Sequence, residues 1–271
     1  MSKPELAPEI ERFYSQVIDE DARLSASADG RLELLRTQEI LRRFLPPAPA
    51  RILDVGGGTG VHARWLVEDG YRVDLVDPIA RHVEQAAEIC PASLGDARAL
   101  EAVGASYDVV QILGPLYHLP DPADRHQTLT EARRVLAPGG LVAAAAINRY
   151  SALFEHAALA HLQNERLQVT ISEILRTAIH DGTRGFTLAY FHRAEELADE
   201  LRAVGFIDVT VFGIEGPAWS LLKTAEHLPA IEPSALQALF ESVLTAARLA
   251  EPYPELLSAS SHLLAVGRAP E

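Results

Sequence analysis

ILDVGGGTGVHARWL, residues 52–66, is the stretch whose reading decides the fold. A short apolar run interrupted by Asp54 leads into positions 56–60, four of which are glycine, and then into residues with helical spacing. A strand, a glycine-rich turn and a helix make a cradle, because glycine lets a ligand approach the backbone and the first turn of a helix presents free amides. The expected ligand is nucleotide-like. The dinucleotide fingerprint G-x-G-x-x-G fits poorly, since counting from Gly56 or Gly58 places Val61 or Ala63 where the third glycine belongs. Asp54 also puts a negative charge two residues before the first glycine, where a pyrophosphate would be repelled and an ammonium group attracted.

Working outward, short β-like runs alternate with helical stretches, the pattern of crossover units that build a parallel sheet. The expected strands are residues 51–56, 71–77, 92–97, 107–114 and 140–147, followed after a gap by 207–214 and 262–269. Between them, 61–70, 79–89, 123–140 and 193–206 carry apolar residues at helical spacing, and Pro138 with its double glycine reads as a helix stop. The fold class is therefore α/β, a doubly wound, seven-stranded, mostly parallel sheet. Its core is divided as 46–150, 187–215 and 261–271. Residues 1–45, 151–186 and 216–260 fall outside the alternation and read as helical. The last two segments follow the C-terminal ends of strands, the side where such sheets bind ligands, so they are expected to form a cap over the mouth, joined by the N-terminal helices.

Composition narrows the function. The chain has 271 residues, 48% of them hydrophobic, and a net charge of −14 from 24 basic and 38 acidic side chains. A polyanionic nucleic acid is disfavoured as a partner. No window approaches the ~18 apolar residues of a membrane span, and MSKPELAPEIERF lacks a signal peptide's order, so no membrane association and a cytoplasmic location are expected. Cys90, alone of its kind, excludes an internal disulfide and reads as a half-buried filler. His156 and His161 are five apart rather than four, and no H-E-x-x-H motif occurs, so no metal is expected. The oligomeric state is open.

These residues carry a family resemblance. LDVGGGTG resembles the first motif of class I S-adenosylmethionine-dependent methyltransferases, an acid followed by alternating glycines, here Asp54, Gly56, Gly58 and Gly60. VDLVDP, LGDA, YDVVQILGPLYHL and EARRVLAPGGLVAAAA resemble the later motifs, in order. The resemblance implies a Rossmann-like methyltransferase fold, S-adenosyl-L-methionine as cofactor and S-adenosyl-L-homocysteine as product. It implies that Asp77, before Pro78, holds the ribose hydroxyls, that Asp96 and Ala97 lie at the adenine, and that Leu113 and Gly114 lie along the methionine portion. Physically, a carboxylate on the ribose favours an unphosphorylated sugar. GPLY stands where the tetrapeptide of base and amide methylation would be, which favours a small-molecule branch. The expected reaction is direct displacement onto an oxygen, nitrogen or carbon of a small organic molecule. A nucleotide-dependent oxidoreductase and a non-catalytic donor-binding regulator are the alternatives.

Displacement demands alignment more than a fixed set of catalytic groups, although a protonated nucleophile calls for a base. His118, just past the fourth strand, is the candidate, with Tyr117 beside it toward the substrate. Arg149, Tyr190, His192 and Trp219 are candidate substrate contacts, and Phe154 a candidate wall. In the N-terminal segment Tyr14 is a candidate for the donor, and Phe13, Arg23 and Arg36 for closing the pocket.

Overall fold

In the computed structural model, which describes residues 24, 26–183, 186–227 and 231–271, the opening run becomes β1 (Arg51–Val55). Four of its five residues are buried, as a parallel strand covered on both faces requires. It pairs in parallel with β2 (Arg72–Asp77) and β4 (Tyr107–Ile112); β3 (Ala92–Leu94) extends the sheet beyond β2, and β5 (Leu136–Asn148) beyond β4. The far edge turns antiparallel. β9 (His262–Arg268) runs against β5, and β8 (Ile207–Gly213) against β9. These are the seven expected strands, in spatial order β3-β2-β1-β4-β5-β9-β8.

Two further strands were not expected. β6 (Ile179–Asp181) and β7 (Leu188–His192) form a hairpin, and β7 joins the sheet in parallel at the end of β5, through Ile147 with Phe191 and Asn148 with His192. The segment 151–186 is thus helical only as far as Thr177. A second correction concerns the helix stop. The helix α4 (Pro122–Val135) ends before Pro138, because Leu136, buried, already pairs with Tyr107, and the register shifts before Val109 resumes the ladder.

Along β5 the side chains alternate between two cores. Val142, Ala144 and Ala146 face the layer holding Leu129 and Val135 of α4 and Leu197 and Leu201 of α7 (Ala194–Ala203). Leu141, Ala143 and Ala145 face Ile40 and Leu41 of α1 (Ala28–Arg42), Ala63 and Leu66 of α2 (Val61–Glu68), Ala86 of α3 (Ala80–Ala86) and Cys90. Period-two alternation on a sheet buried on both faces accounts for the alanines: both sides are crowded by helices.

The insertions are α5 (Ser151–Ala158), α6 (Glu165–Thr177), α8 (Ser220–His227) and α9 (Pro233–Ala250). The start of α1 packs with α8 and α9 in one apolar cluster built on Ala28, Leu32, Trp219, Leu222 and Phe240. Lys223 on α8 reaches both Asp29 on α1 (3.0 Å) and Glu155 on α5 (3.3 Å), tying the insertions together beside the sheet's C-terminal edge. Among the described residues no helix is long and apolar enough to cross a membrane.

Candidate active site

The glycine turn works as a cradle because three of its residues, Gly56, Gly58 and Gly60, adopt backbone that side chains resist. Gly56 has φ +67, and a Cβ there would lie 2.4 Å from Cγ of Pro115; Gly60, φ +87, starts α2 in the left-handed conformation. Gly56 and Gly58 open onto a cavity whose wall includes Asp77, Pro78, Asp96, Ala97, Gly114, Tyr117 and His118. The structure thus gathers on one wall residues that the sequence scatters over some sixty positions. His82 and Arg98 also line it, and the sequence reading missed both.

Three expected donor contacts sit elsewhere. Gly60 shapes the helix entry rather than the wall, and Leu113 packs into the core on the α2 side, since only its neighbour Gly114 turns toward the opening. Asp54 lies beneath the loop: a Cβ on Gly57 would be 2.6 Å from its carboxyl carbon. Its Oδ2 is buried with no hydrogen-bond partner among the described residues. Burial above all, opposed by the facing Gln111 and reinforced by Asp77, raises its pKa to about 7. A buried acid with an unpartnered oxygen under a glycine-rich loop suits a ligand that brings a positive charge. Tyr14, Phe13 and Arg23 lie outside the described residues.

Asp77 is buried, and its carboxylate accepts from the Gly58 amide (2.9 Å) and the Ile79 amide (2.9 Å), with His82 Nδ1 at 3.2 Å. It therefore fixes the loop after β1 against the end of β2 as well as facing the cavity. Asp74, three residues earlier, points to the other face and meets Tyr107 and Arg51. Asp96 is gripped by Arg98 through both its oxygens (2.9 and 2.8 Å), and Arg98 also reaches Asp124 (2.8 Å).

Tyr117 and His118 belong to a short 3₁₀ turn, Pro115–His118, with ring centroids 4.6 Å apart. Tyr117 also lines a second cavity of about 780 Å³, within the range of small-molecule sites. Apolar side chains from β5, α6 and the β6–β7 hairpin, among them Ile147, Ile171, Ile174, Phe186 and Phe191, form much of that wall. Polar groups come from α1, α5 and α8 (Asp29, Glu33, Glu155, Lys223) and from His156, His180 and His262.

Most expected substrate contacts are absent from this wall. Trp219 is buried in the α1–α8–α9 cluster and donates to the Ala259 carbonyl (3.0 Å), since that cluster needs a large apolar side chain. Arg149 is buried with its Nε on the Phe191 carbonyl (2.7 Å) and its guanidinium on Glu196 (2.6 Å), so it secures β7 instead of facing the mouth. Tyr190 lies under the Arg125 guanidinium at 3.8 Å, and Arg125 in turn holds Glu200 and the Leu119 and Pro120 carbonyls. His192 is fully buried beside Glu200 (3.2 Å), and burial lowers its pKa although Glu200 opposes the shift. Arg36 is buried between Glu39 (2.5 Å), Glu251 (2.6 Å) and the Ile214 carbonyl (3.3 Å). Phe154 is 39% exposed and lines neither cavity.

The chain bends at Ala160 after α5, so His156 and His161, five apart, bring their Nδ1 atoms within 3.3 Å. Among the described residues one group of three presents its ligand atoms within 4.8 Å of one another: Glu33, Glu215 and His262. Neither Glu215 nor His262 stood out in the sequence, although residues ending β8 and starting its antiparallel neighbour β9 must meet.

A family model described as a methyltransferase domain matches residues 52–140. An uncharacterized methyltransferase of Mycobacterium tuberculosis is 37% identical over 105 residues, 38% of this chain and 42% of that protein, so the match spans less than half of that relative. A ubiquinone biosynthesis O-methyltransferase of Cereibacter sphaeroides is 30% identical over 203 residues, 68% of this chain and 76% of that protein. Among solved structures, an S-adenosylmethionine-dependent methyltransferase of Thermotoga maritima superposes with a TM-score of 0.58 at 20% identity, over 98% of this chain and 100% of that one.

Proposed function

The chain belongs to the class I S-adenosylmethionine-dependent methyltransferases, and from that premise we propose that it methylates a hydroxyl oxygen of a small, largely apolar organic acceptor seated in the second cavity. The observation that carries the reading is Tyr117, among the described residues the one common to both cavity walls, where donor and acceptor would meet. S-adenosylmethionine fits the first cavity by the criteria above: a glycine-rich loop, a buried acid beneath it with an unpartnered oxygen, and Asp77 at the wall. Asp77 would take the ribose, Asp96 and Ala97 the adenine, and Gly56, Gly58 and Gly114 the amino-acid portion. The donor supplies an activated methyl group. The protein's part is to hold the acceptor in line with it, exclude water and receive the acceptor's proton.

Oxygen is favoured by likeness to an O-methyltransferase over two thirds of the chain and by a cavity that combines apolar walls with imidazoles able to take a hydroxyl proton. The His118 position closes the donor cavity beside Tyr117 and orients that ring.

The test is incubation of the purified protein with methyl-labelled S-adenosylmethionine and a panel of phenols, catechols, aliphatic alcohols and primary amines, read by mass spectrometry. O-methylated products are expected. Products methylated only at nitrogen would overturn the oxygen assignment, and S-adenosylhomocysteine failing to bind by calorimetry would overturn the donor site.

A further inference from the structure

We propose that Arg125 is a positioning residue for the transfer: it ties the turn that carries Tyr117 to β7, the strand behind the acceptor wall, and so fixes how the two cavities lie relative to one another. The proposal rests on the donor and acceptor reading above. Arg125 stands on α4, is 3% exposed and lines neither cavity, so it acts only through its neighbours. Its Nη1 donates to the Leu119 and Pro120 carbonyls (2.8 and 2.9 Å), which directly follow the turn Pro115–His118. At the other end the turn is seated on the glycine loop, because Pro115 lies against Gly56. A four-residue turn held at both ends can shift Tyr117 only if one hold gives.

Period-two alternation on β7 supplies the second attachment. Ala189 and Phe191 pack with Ile147 and Ile174, and Phe191 lines the acceptor cavity. Tyr190 and His192 therefore face the opposite side, with ring centroids 4.6 Å apart. There the Arg125 guanidinium lies over the Tyr190 ring at 3.8 Å. One oxygen of Glu200, on α7, accepts from Arg125 Nε (2.8 Å) and lies 2.8 Å from its Nη2, while the other is 3.2 Å from Nε2 of His192. One planar group thus touches the turn, β7 and α7. A guanidinium offers donors in several directions and a flat face at once, whereas the ammonium of lysine offers neither the fork nor the face. Arg149 holds β7 independently, through the Phe191 carbonyl and Glu196, so a change at Arg125 leaves β7 in place and releases the turn from it.

Arg125→Lys and Arg125→Gln test the tie. In hydrogen exchange of the full chain read by mass spectrometry, residues 114–121 are expected to exchange roughly ten-fold faster or more in both variants, while β1 and β5 keep the native rate. With an acceptor found in the panel, kcat is expected to fall roughly 10-fold in Arg125→Lys and roughly 10²-fold in Arg125→Gln, because alignment is lost. The acceptor KM and S-adenosylhomocysteine affinity should each stay within about three-fold, since binding is not. In a Tyr117→Ala background the same substitutions should add little, because both act at one point. Arg125→Lys keeps a positive charge beside Glu200, so the test stands even where Arg125→Gln does not fold. Native exchange at 114–121 in Arg125→Lys overturns the proposal whatever the acceptor. Exchange that rises alike in the turn, β1 and β5 shows a general structural role and overturns it, as does a loosened turn with unchanged kcat. A silent panel beside the expected exchange overturns the donor and acceptor reading, and the role in transfer with it.

Discussion

The two cavities, proposed above for donor and acceptor, are built on opposite plans. The donor wall comes from loops that leave β1, β2, β3 and β4 in chain order, between Gly56 and Leu119. The acceptor wall gathers residues from Ser27 to His262, supplied by α1, β5, α5, α6, the β6–β7 hairpin, α8 and β9. A donor common to the whole family needs only local turns with fixed residue types, so its site is written as short motifs. An acceptor pocket is shaped by packing among distant segments. A substitution at the donor end should accordingly act on donor affinity, and one at the acceptor rim on turnover or cap stability.

The largest break in this contrast is expected from Gly56→Val. Its Cβ would enter the Pro115 ring and its backbone would have to keep φ +67, costs of about 1–3 kcal/mol for overpacking and 1–2 kcal/mol for left-handed backbone. Calorimetry with S-adenosylhomocysteine should show affinity lost by 100-fold or more. A variant that binds as the native chain does would show that the cradle is not the donor site.

Next comes Asp54→Asn, read through pH. Burial raises the folded pKa of Asp54 to about 7 from an unfolded value near 3.8, so between these limits the folded state holds a proton that the unfolded chain has released. Stability conferred by this site is complete below pH ~4 and falls as pH rises toward ~7, by up to about 1.4 kcal/mol per unit. The ligand-free Asn variant should therefore melt higher than the native chain at pH 8 and alike near pH 4. Equal melting temperatures at both would place Asp54 in a solvated site.

Asp77→Ala should cost donor affinity about 1–3 kcal/mol, the scale of hydrogen bonds to a charged group. Part of that loss comes through the loop, because the Gly58 and Ile79 amides lose their acceptor. At saturating donor, kcat for an accepted substrate should change far less than affinity, and a fall in kcat alone would move Asp77 from donor binding to the chemistry.

The same contrast explains what could be read in the sequence. Asp77, Pro78, Asp96, Ala97 and Gly114 were legible because each stands at or soon after the end of a strand, inside a short run that resembles a motif of the family. The β6–β7 hairpin was not, because β6 has three residues and too little alternation to register, and β7 is specified by joining β5. Arg149 and Trp219 sit near the mouth along the chain, but their positions are decided by a carbonyl 42 residues away and by a cluster with α1 and α9. His262 begins an ordinary strand, and it meets Glu215 across an antiparallel pair, a contact no local motif carries.

The smallest expected effect sharpens the comparison at the rim. Glu251 ties Arg43 to Arg36, and Arg36 carries the link from α1 to the Ile214 carbonyl beside Glu215. Burial alone would raise the Glu251 pKa, but hydrogen bonds from Arg43 and Arg36 prevail and lower it. A lowered folded pKa means that the stabilisation is present above the unfolded value near 4.3 and is lost as pH falls through the folded one. Glu251→Gln should thus cost about 1 kcal/mol at pH 7, because the pair is partly solvated, and nothing once acid has protonated the native carboxylate. Since neither Arg36 nor Glu251 belongs to the cavity wall beside the glycine loop, S-adenosylhomocysteine affinity should not move. A shift in donor affinity instead would show that the cap and the donor cradle respond as one unit.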